Sequence, residues 1–192
     1  MPILGESAFF FSQLMGGWRR TGAILPSSPR LARAMVDAIG PLAPGQVVVE
    51  LGPGTGVFTR ELARRLPGHP IVAVEANHDF AGRLRGRHPA VNVVAGCASR
   101  LRNHLAELHI EPGRVGAVIS GLPLLSLPGD LPRAILASIT DILPPGGRLI
   151  QFTYSRRAWR RFAIDGLQRG RTRRIWLNVP PAVVMEFVRS AC

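Results

Sequence analysis

Two glutamates and three alternating glycines carry the first chemical signal in this chain. Glu50-Leu51-Gly52-Pro53-Gly54-Thr55-Gly56 follows the apolar run Val47-Val48-Val49, and Glu75 closes a second run, Ile71-Val72-Ala73-Val74. Glycines at alternate positions let a backbone turn tightly and come close to a ligand at the carboxyl edge of a sheet. A carboxylate at the tip of the next strand can accept both hydroxyls of a ribose. Two details speak against a dinucleotide. Val57 stands where the pyrophosphate fingerprint has its last glycine, and Glu50 adds negative charge that repels a pyrophosphate and welcomes a cation. The expected ligand bears a ribose and a positively charged amino-acid end, a description that S-adenosylmethionine meets.

The elements that must position these residues follow from hydrophobic patterning. Val47–Leu51, Ile71–Glu75, Val91–Ala95, Val115–Ile119 and Arg148–Tyr154 read as strands, with a helix from about Val57 to Leu66 after the glycine turn. Apolar strands separated by helices predict a parallel sheet covered on both faces. Near the end, Arg173–Val179 and Ala182–Val188 are separated only by Pro180-Pro181, too short for a crossover, so they must run antiparallel. The fold class expected is α/β: a doubly wound, mostly parallel, seven-stranded Rossmann-like sheet with an antiparallel C-terminal hairpin.

The first twenty residues stand outside this alternation. On a helix, Phe10, Phe11, Leu14, Met15 and Trp18 share one face, with Arg19 and Arg20 off it, as suits a helix lying in a headgroup layer or packed on its own domain. The domain plan is therefore residues 1–20 as an amphipathic, membrane-interacting helix and 21–192 as the cofactor-binding domain.

With 192 residues, 46% of them apolar, the chain suits one globular domain and excludes a disordered one. Two cysteines, Cys97 and Cys192, make no disulfide framework, which points to a reducing cytoplasm. The most apolar stretch, Val115 to Leu127, is too short and too broken to span a bilayer. Twenty-four basic residues, every one an arginine, face 12 acidic ones for a net charge of +12. Arginine forks onto phosphate oxygens, so this surface should seek a polyanion, either nucleic acid or an anionic leaflet. The densest charge is Arg156, Arg157, Arg160 and Arg161, one helix face with Trp159 and Phe162 alongside, followed by Arg169, Arg171, Arg173 and Arg174. Such a run is either a solvated face or a platform for phosphates. The five histidines show no ligand spacing, so no metal is expected.

Several segments together resemble the soluble bacterial phospholipid N-methyltransferases of the class I S-adenosylmethionine-dependent superfamily. They are Thr21-Gly22-Ala23-Ile24-Leu25-Pro26-Ser27-Ser28 with Leu31-Ala32-Arg33-Ala34-Met35, then Val49 to Gly56, Ser120-Gly121-Leu122-Pro123, Phe152-Thr153-Tyr154 and Val179-Pro180-Pro181. The resemblance spans almost the whole chain. It implies a methyltransferase sheet and stepwise methylation of phosphatidylethanolamine and its mono- and dimethyl derivatives toward phosphatidylcholine, with S-adenosylhomocysteine as the spent donor. It also implies a monomer working at the inner face of the cell membrane, peripherally associated, with no metal and no nucleic-acid partner.

Carried onto this sequence, the resemblance assigns cofactor contacts to Thr21, Ser28, Glu50, Gly52, Pro53, Gly54, Thr55, Gly56, Glu75 and Ala76. Gly96, Cys97 and Ala98, at the tip of the third strand, match the place that holds the adenine; the family commonly has an acid there, and Cys97 is only a weak acceptor. Ser120, Gly121 and Leu122 end the fourth strand beside the methyl donor, where amino-directed methylases grip the target nitrogen. Ser120 and Tyr154, the only tyrosine, are the catalytic candidates, with the Tyr154 hydroxyl orienting the headgroup. Phe10, Trp18, Arg19, Arg20, Arg156, Arg157, Arg160 and Arg161 are assigned to lipid.

The competing reading is an enzyme similar to the ribosomal RNA adenine dimethylases, which join such a glycine loop to an Asn-Leu-Pro-aromatic turn. Ser120-Gly121-Leu122-Pro123-Leu124 lacks both the amide for an adenine amine and the aromatic to stack on it. A small-molecule methyltransferase would leave the amphipathic N-terminus and the arginine run unexplained. An inert membrane-binding module would leave Glu50, Glu75 and the glycine loop unexplained.

Overall fold

The computed structural model describes residues 28–154, 164–178 and 180–190. The expected N-terminal helix, Thr21, and the Arg156–Arg161 run lie outside them; so, therefore, do Phe10, Trp18, Arg19, Arg20, Arg157 and Arg160.

The described chain runs α1 (Pro29–Asp37), β1 (Val47–Leu51), α2 (Val57–Arg65), β2 (Ile71–Glu75), α3 (His78–Arg87), β3 (Asn92–Ala95), α4 (Leu101–Glu107) and β4 (Val115–Ser120). It continues with α5 (Leu131–Ile142), β5 (Arg148–Thr153), β6 (Leu167–Ile175) and β7 (Ala182–Arg189). One seven-stranded sheet results, in the order β3-β2-β1-β4-β5-β7-β6. β1 to β5 pair in parallel, whereas β7 is antiparallel to both β5 and β6. The α/β sheet with a closing hairpin is thus as the patterning predicts.

Alternation along each strand sends side chains to two cores. On one face Val49, Val118 and Leu149 pack with Leu101, Leu105, Ile135 and Ile139 from α4 and α5. On the other, Val48, Ala73, Ile119 and Ile150 meet Leu31 and Met35 of α1, Leu62 of α2 and Leu84 of α3. Full burial of such a side chain stabilises by about 1.5–3 kcal/mol, so both faces hold the strand ends in register. Local signals start the helices: the Ser28 hydroxyl accepts from Leu31 N at 3.1 Å with Pro29 beginning α1, and Asn77 Oδ1 accepts from Asp79 N and Phe80 N to cap α3.

One expectation needs correction. The sixth strand is Leu167–Ile175, beginning six residues before the expected Arg173 and ending ahead of Trp176. It lies at the sheet edge, and every residue from Gln168 to Arg174 is exposed. No apolar alternation marks it, because pairing with β7 rather than burial makes it a strand. Trp176 and Leu177, expected inside a strand, form the turn instead. No helix among the described residues is long and apolar enough to cross a membrane.

Candidate active site

Glu50, next to last in β1, and Glu75, last in β2, lie at the carboxyl ends of neighbouring strands on the same sheet face. Glu50 is wholly buried. Thr59 Oγ1, in the first turn of α2, donates to its Oε2 at 2.6 Å, and Oε1 has no hydrogen-bond partner. Burial pushes the Glu50 carboxyl up to about 8; the side-chain and backbone bonds of Thr59 oppose the rise and the nearby Glu75 adds to it. Glu75 is 1% exposed. Its Oε1 accepts from Asn77 N and its Oε2 from Gly54 N, both at 3.0 Å. The Ala76 N–H is also directed to this carboxyl, and burial still raises it above the usual range.

The glycine loop is shaped by three different needs. Gly52 (φ +65°) lies so close to the β4 turn that a Cβ would stand 2.5 Å from Leu122 Cδ2. The two loops are locked by Gly121 N donating to Leu51 O at 2.8 Å. Gly56 (φ +82°) begins α2, and a Cβ there would meet Leu84 Cδ1 of α3 at 2.7 Å. Gly54 (φ +54°) differs: nothing lies within 4 Å of where its Cβ would be. Between these glycines Pro53 is buried and Thr55 exposed.

At the β3 tip, Gly96 leaves space for the His104 ring, which a Cβ would approach to 2.6 Å. His104 Nε2 lies 3.1 Å from Cys97 O, and Cys97 Sγ lies 3.1 Å from Ser99 Oγ. Ala98 is buried in the core. The segment makes a small, pinned wall with no acid to meet an amine.

The β4 turn is held from beneath. Ser120 is wholly buried and its Oγ accepts from Leu122 N at 3.3 Å, so the hydroxyl braces its own turn instead of facing open space. Beside it in the sheet lies Gln151 of β5, whose Nε2 donates to Leu122 O at 3.1 Å and Phe152 O at 2.9 Å. Gln151 is 3% exposed and its Oε1 has no partner. Gln151 is not among the residues that the motifs single out, although a lone amide in Leu149-Ile150-Gln151-Phe152 is a signal. Tyr154 follows β5 on the opposite face, half-buried. Its ring is edge-on to Phe152 at 5.4 Å, and Phe152 is edge-on to Phe58 at 5.8 Å. Burial raises the Tyr154 phenol above its usual range, opposed by a hydrogen bond with the Asn178 side chain. Ser28 caps α1 through its hydroxyl, and Ala76 is half-buried beside Glu75.

A methyltransferase-domain family model matches residues 48–147, from β1 to the turn before β5. The ornithine lipid N-methyltransferase of Singulisphaera acidiphila is 36% identical over 144 residues, covering 73% of each chain. This chain belongs to the class I S-adenosylmethionine-dependent methyltransferases. The methyltransferase also matches the ribosomal RNA small subunit methyltransferase A of Thiobacillus denitrificans, 48% identical over 114 residues, but spans only 40% of that protein. Among solved structures, TrmN from Thermus thermophilus shares the fold with a TM-score of 0.67 at 22% identity, over 84% of this chain and 48% of that one.

S-adenosylmethionine is accordingly the cofactor of this methyltransferase, and the site fits it. The unpartnered Oε1 of Glu50 is a buried acceptor suited to an ammonium group, and the open space at Gly54 lets a ligand approach the backbone. Glu75 fits less simply than its sequence position implies. A carboxylate has about four acceptor directions, and the N–H groups of Gly54 and Asn77 each occupy one, on different oxygens. The directions that remain suit ribose hydroxyl donors.

Proposed function

We propose that this methyltransferase transfers methyl groups from S-adenosylmethionine to the amine of phosphatidylethanolamine, and of its mono- and dimethyl derivatives, toward phosphatidylcholine. The observation that carries this reading is the likeness to an ornithine lipid N-methyltransferase across 73% of both chains. Both acceptors place the reacting nitrogen on a membrane lipid. The likeness to the ribosomal RNA enzyme covers much less of that protein, and the turn Ser120-Gly121-Leu122-Pro123-Leu124 has no side-chain amide or aromatic for a flipped adenine.

When bound, the cofactor supplies a methyl group on a sulfonium, open to in-line attack by a nitrogen. Glu50 would take its ammonium, Glu75 its ribose, and Gly96-Cys97-Ala98 would line the adenine. In-line displacement needs alignment above all, and that is what the β4 turn provides. Gln151 Nε2 and Leu124 N both donate to the Leu122 carbonyl and fix it, and Ser120 fixes the Leu122 N–H, so the turn is rigid beside the acceptor amine. Ser120 is then a positioning residue. The amine must be neutral to attack, whereas an alkyl ammonium has a pKa of roughly 10 in water; enclosure beneath the turn disfavours the charged form and lowers that value. The Tyr154 hydroxyl orients the headgroup from the next strand end. Residues 1–20 and Arg156, Arg157, Arg160 and Arg161 hold the monomer peripherally to the inner face of the cell membrane, each cation near an anionic leaflet contributing about 1 kcal/mol.

Incubation with S-adenosylmethionine labelled in its methyl group tests the reading. Label is expected in mono-, di- and trimethylated lipid from vesicles of phosphatidylethanolamine with phosphatidylglycerol, and not in ribosomal RNA run in parallel. Label in RNA alone would overturn it.

A further inference from the structure

The turn between β6 and β7 carries a feature that the catalytic site does not use. Trp176 is 63% exposed and Leu177 69% exposed, side by side at the tip of the hairpin. The tip is not a loose loop. Asn178, 3% exposed, donates through Nδ2 to Pro180 O at 2.7 Å, and its side chain lies by the Tyr154 hydroxyl. A buried amide thus holds two large apolar side chains out in water.

Sheet register fixes which way the tip points. Ile175 pairs with Ala182, and Val183 pairs with Thr153 at the end of β5. The turn therefore leaves the sheet at the carboxyl edge, where Glu50, Glu75 and the β4 turn lie. Leu125, 56% exposed, stands in the short helical turn after β4 on the same edge. With strands about 4.8 Å apart, β4 and β6, three steps apart in the sheet, are separated by about 14 Å. The three exposed apolar side chains can therefore meet one flat surface.

Charge says what that surface is. The exposed run from Gln168 to Arg174 holds four arginines and no acid. Arg174 lies over the Trp176 ring at 5.1 Å, and Arg173 is 67% exposed, 3.7 Å from Asp37. Charged residues on an edge strand also discourage edge-to-edge pairing, but that role does not require exposed Trp and Leu beyond the strand's end. An amphipathic ring at headgroup depth, an aliphatic side chain beneath it and arginines along the flank match an anionic bilayer. Single-stranded RNA would use the ring and the arginines and leave Leu177 and Leu125 without a partner.

We propose that the β6–β7 turn is a membrane-docking finger: Trp176 and Leu177, with Leu125 beside them, enter the interfacial layer of an anionic phospholipid bilayer while Arg173 and Arg174, at the end of β6 next to the turn, meet its phosphates. This rests on the lipid reading of the active site and adds to it the surface through which that site meets its substrate. The pairing of Val183 with Thr153 sets the finger relative to the end of β5.

Co-sedimentation of the full chain with phosphatidylethanolamine–phosphatidylglycerol vesicles tests it, comparing wild type with Trp176→Ser/Leu177→Ser. Calorimetric binding of S-adenosylhomocysteine reports that the variant is folded. The expected result is vesicle affinity lower by about tenfold or more, from losing two apolar anchors. Unchanged vesicle affinity in a folded variant would overturn the finger and leave the lipid reading standing. Should the double variant misfold, the emission of Trp176 in a Trp18→Phe/Trp159→Phe background serves instead. Quenching by brominated lipid is expected, and bound protein without quenching overturns the proposal. Methylation of phosphatidylethanolamine in detergent micelles, measured alongside, reports separately on the lipid reading. Wild-type chain that binds RNA but no vesicle overturns the finger whatever the micelle assay shows.

Discussion

Glu50 couples the cofactor site to pH. Its carboxyl lies at about 8 in the folded chain against an ordinary 4.5, because burial penalises the charged form. A raised carboxyl binds its proton more tightly folded than unfolded. That proton's contribution to stability is full below the unfolded value and is lost as pH rises through the folded one. Without cofactor, wild type should therefore lose stability relative to Glu50→Gln between about pH 4.5 and pH 8. A cofactor ammonium at Oε1 favours the ionised carboxylate, so binding at pH 7 should release about one proton. Calorimetry in buffers of different ionisation enthalpy reads this directly; no release, or equal release from Glu50→Gln, would remove Glu50 from the ammonium site. At Tyr154 the expected loss for Tyr154→Phe is about tenfold in kcat/KM, the scale of one hydrogen bond to a charged group. Unchanged kcat and KM would reduce Tyr154 to packing and to bracing Asn178. Glu50 and Glu75 were legible in the sequence because an acid ending an apolar strand is conspicuous. Gln151 shows only as a lone amide in an apolar run, and the roles of Gln151 and Thr59 do not show at all, since each acts on a group that a different segment of the chain delivers.

At the level of elements, the glycine loop separates folding from binding. Gly52 and Gly54 both have positive φ, so alanine costs roughly 1–2 kcal/mol of backbone strain at either position. At Gly52 the added methyl also collides with Leu122, whereas at Gly54 it enters open space. Gly52→Ala should thus be the more destabilised in urea unfolding. Gly54→Ala should lose no more than the backbone cost yet bind S-adenosylhomocysteine more weakly by about tenfold or more. Equal affinity of Gly54→Ala and wild type would mean that the ligand does not approach this backbone. The parallel strands were legible because burial on both faces writes continuous apolar runs, as in Val47-Val48-Val49 and Ile71-Val72-Ala73-Val74. β6 was not, because an edge strand of exposed arginines is defined only by its hydrogen bonds to β7. Trp176 and Leu177, apolar and next to this strand, read as its continuation although they form the turn.

Across the whole molecule, the parallel order of β1 to β5 gathers the acids, the glycine loop, the β4 turn and the β6–β7 turn at one edge of the sheet. Chain connectivity achieves this, because every parallel strand delivers its last residue to that edge. A net charge of +12 biases the molecule toward a phosphate-covered surface, and composition alone left open whether that surface is RNA or lipid. The likeness to a lipid enzyme along the chain favours lipid. The most direct measurement is an experimental structure of the chain with S-adenosylhomocysteine. The amino-acid end is expected at Glu50, a ribose hydroxyl on Glu75 and the sulfur turned toward the Ser120–Leu122 turn. A ligand bound elsewhere, or one that leaves Glu50 Oε1 and Glu75 untouched, would contradict this placement.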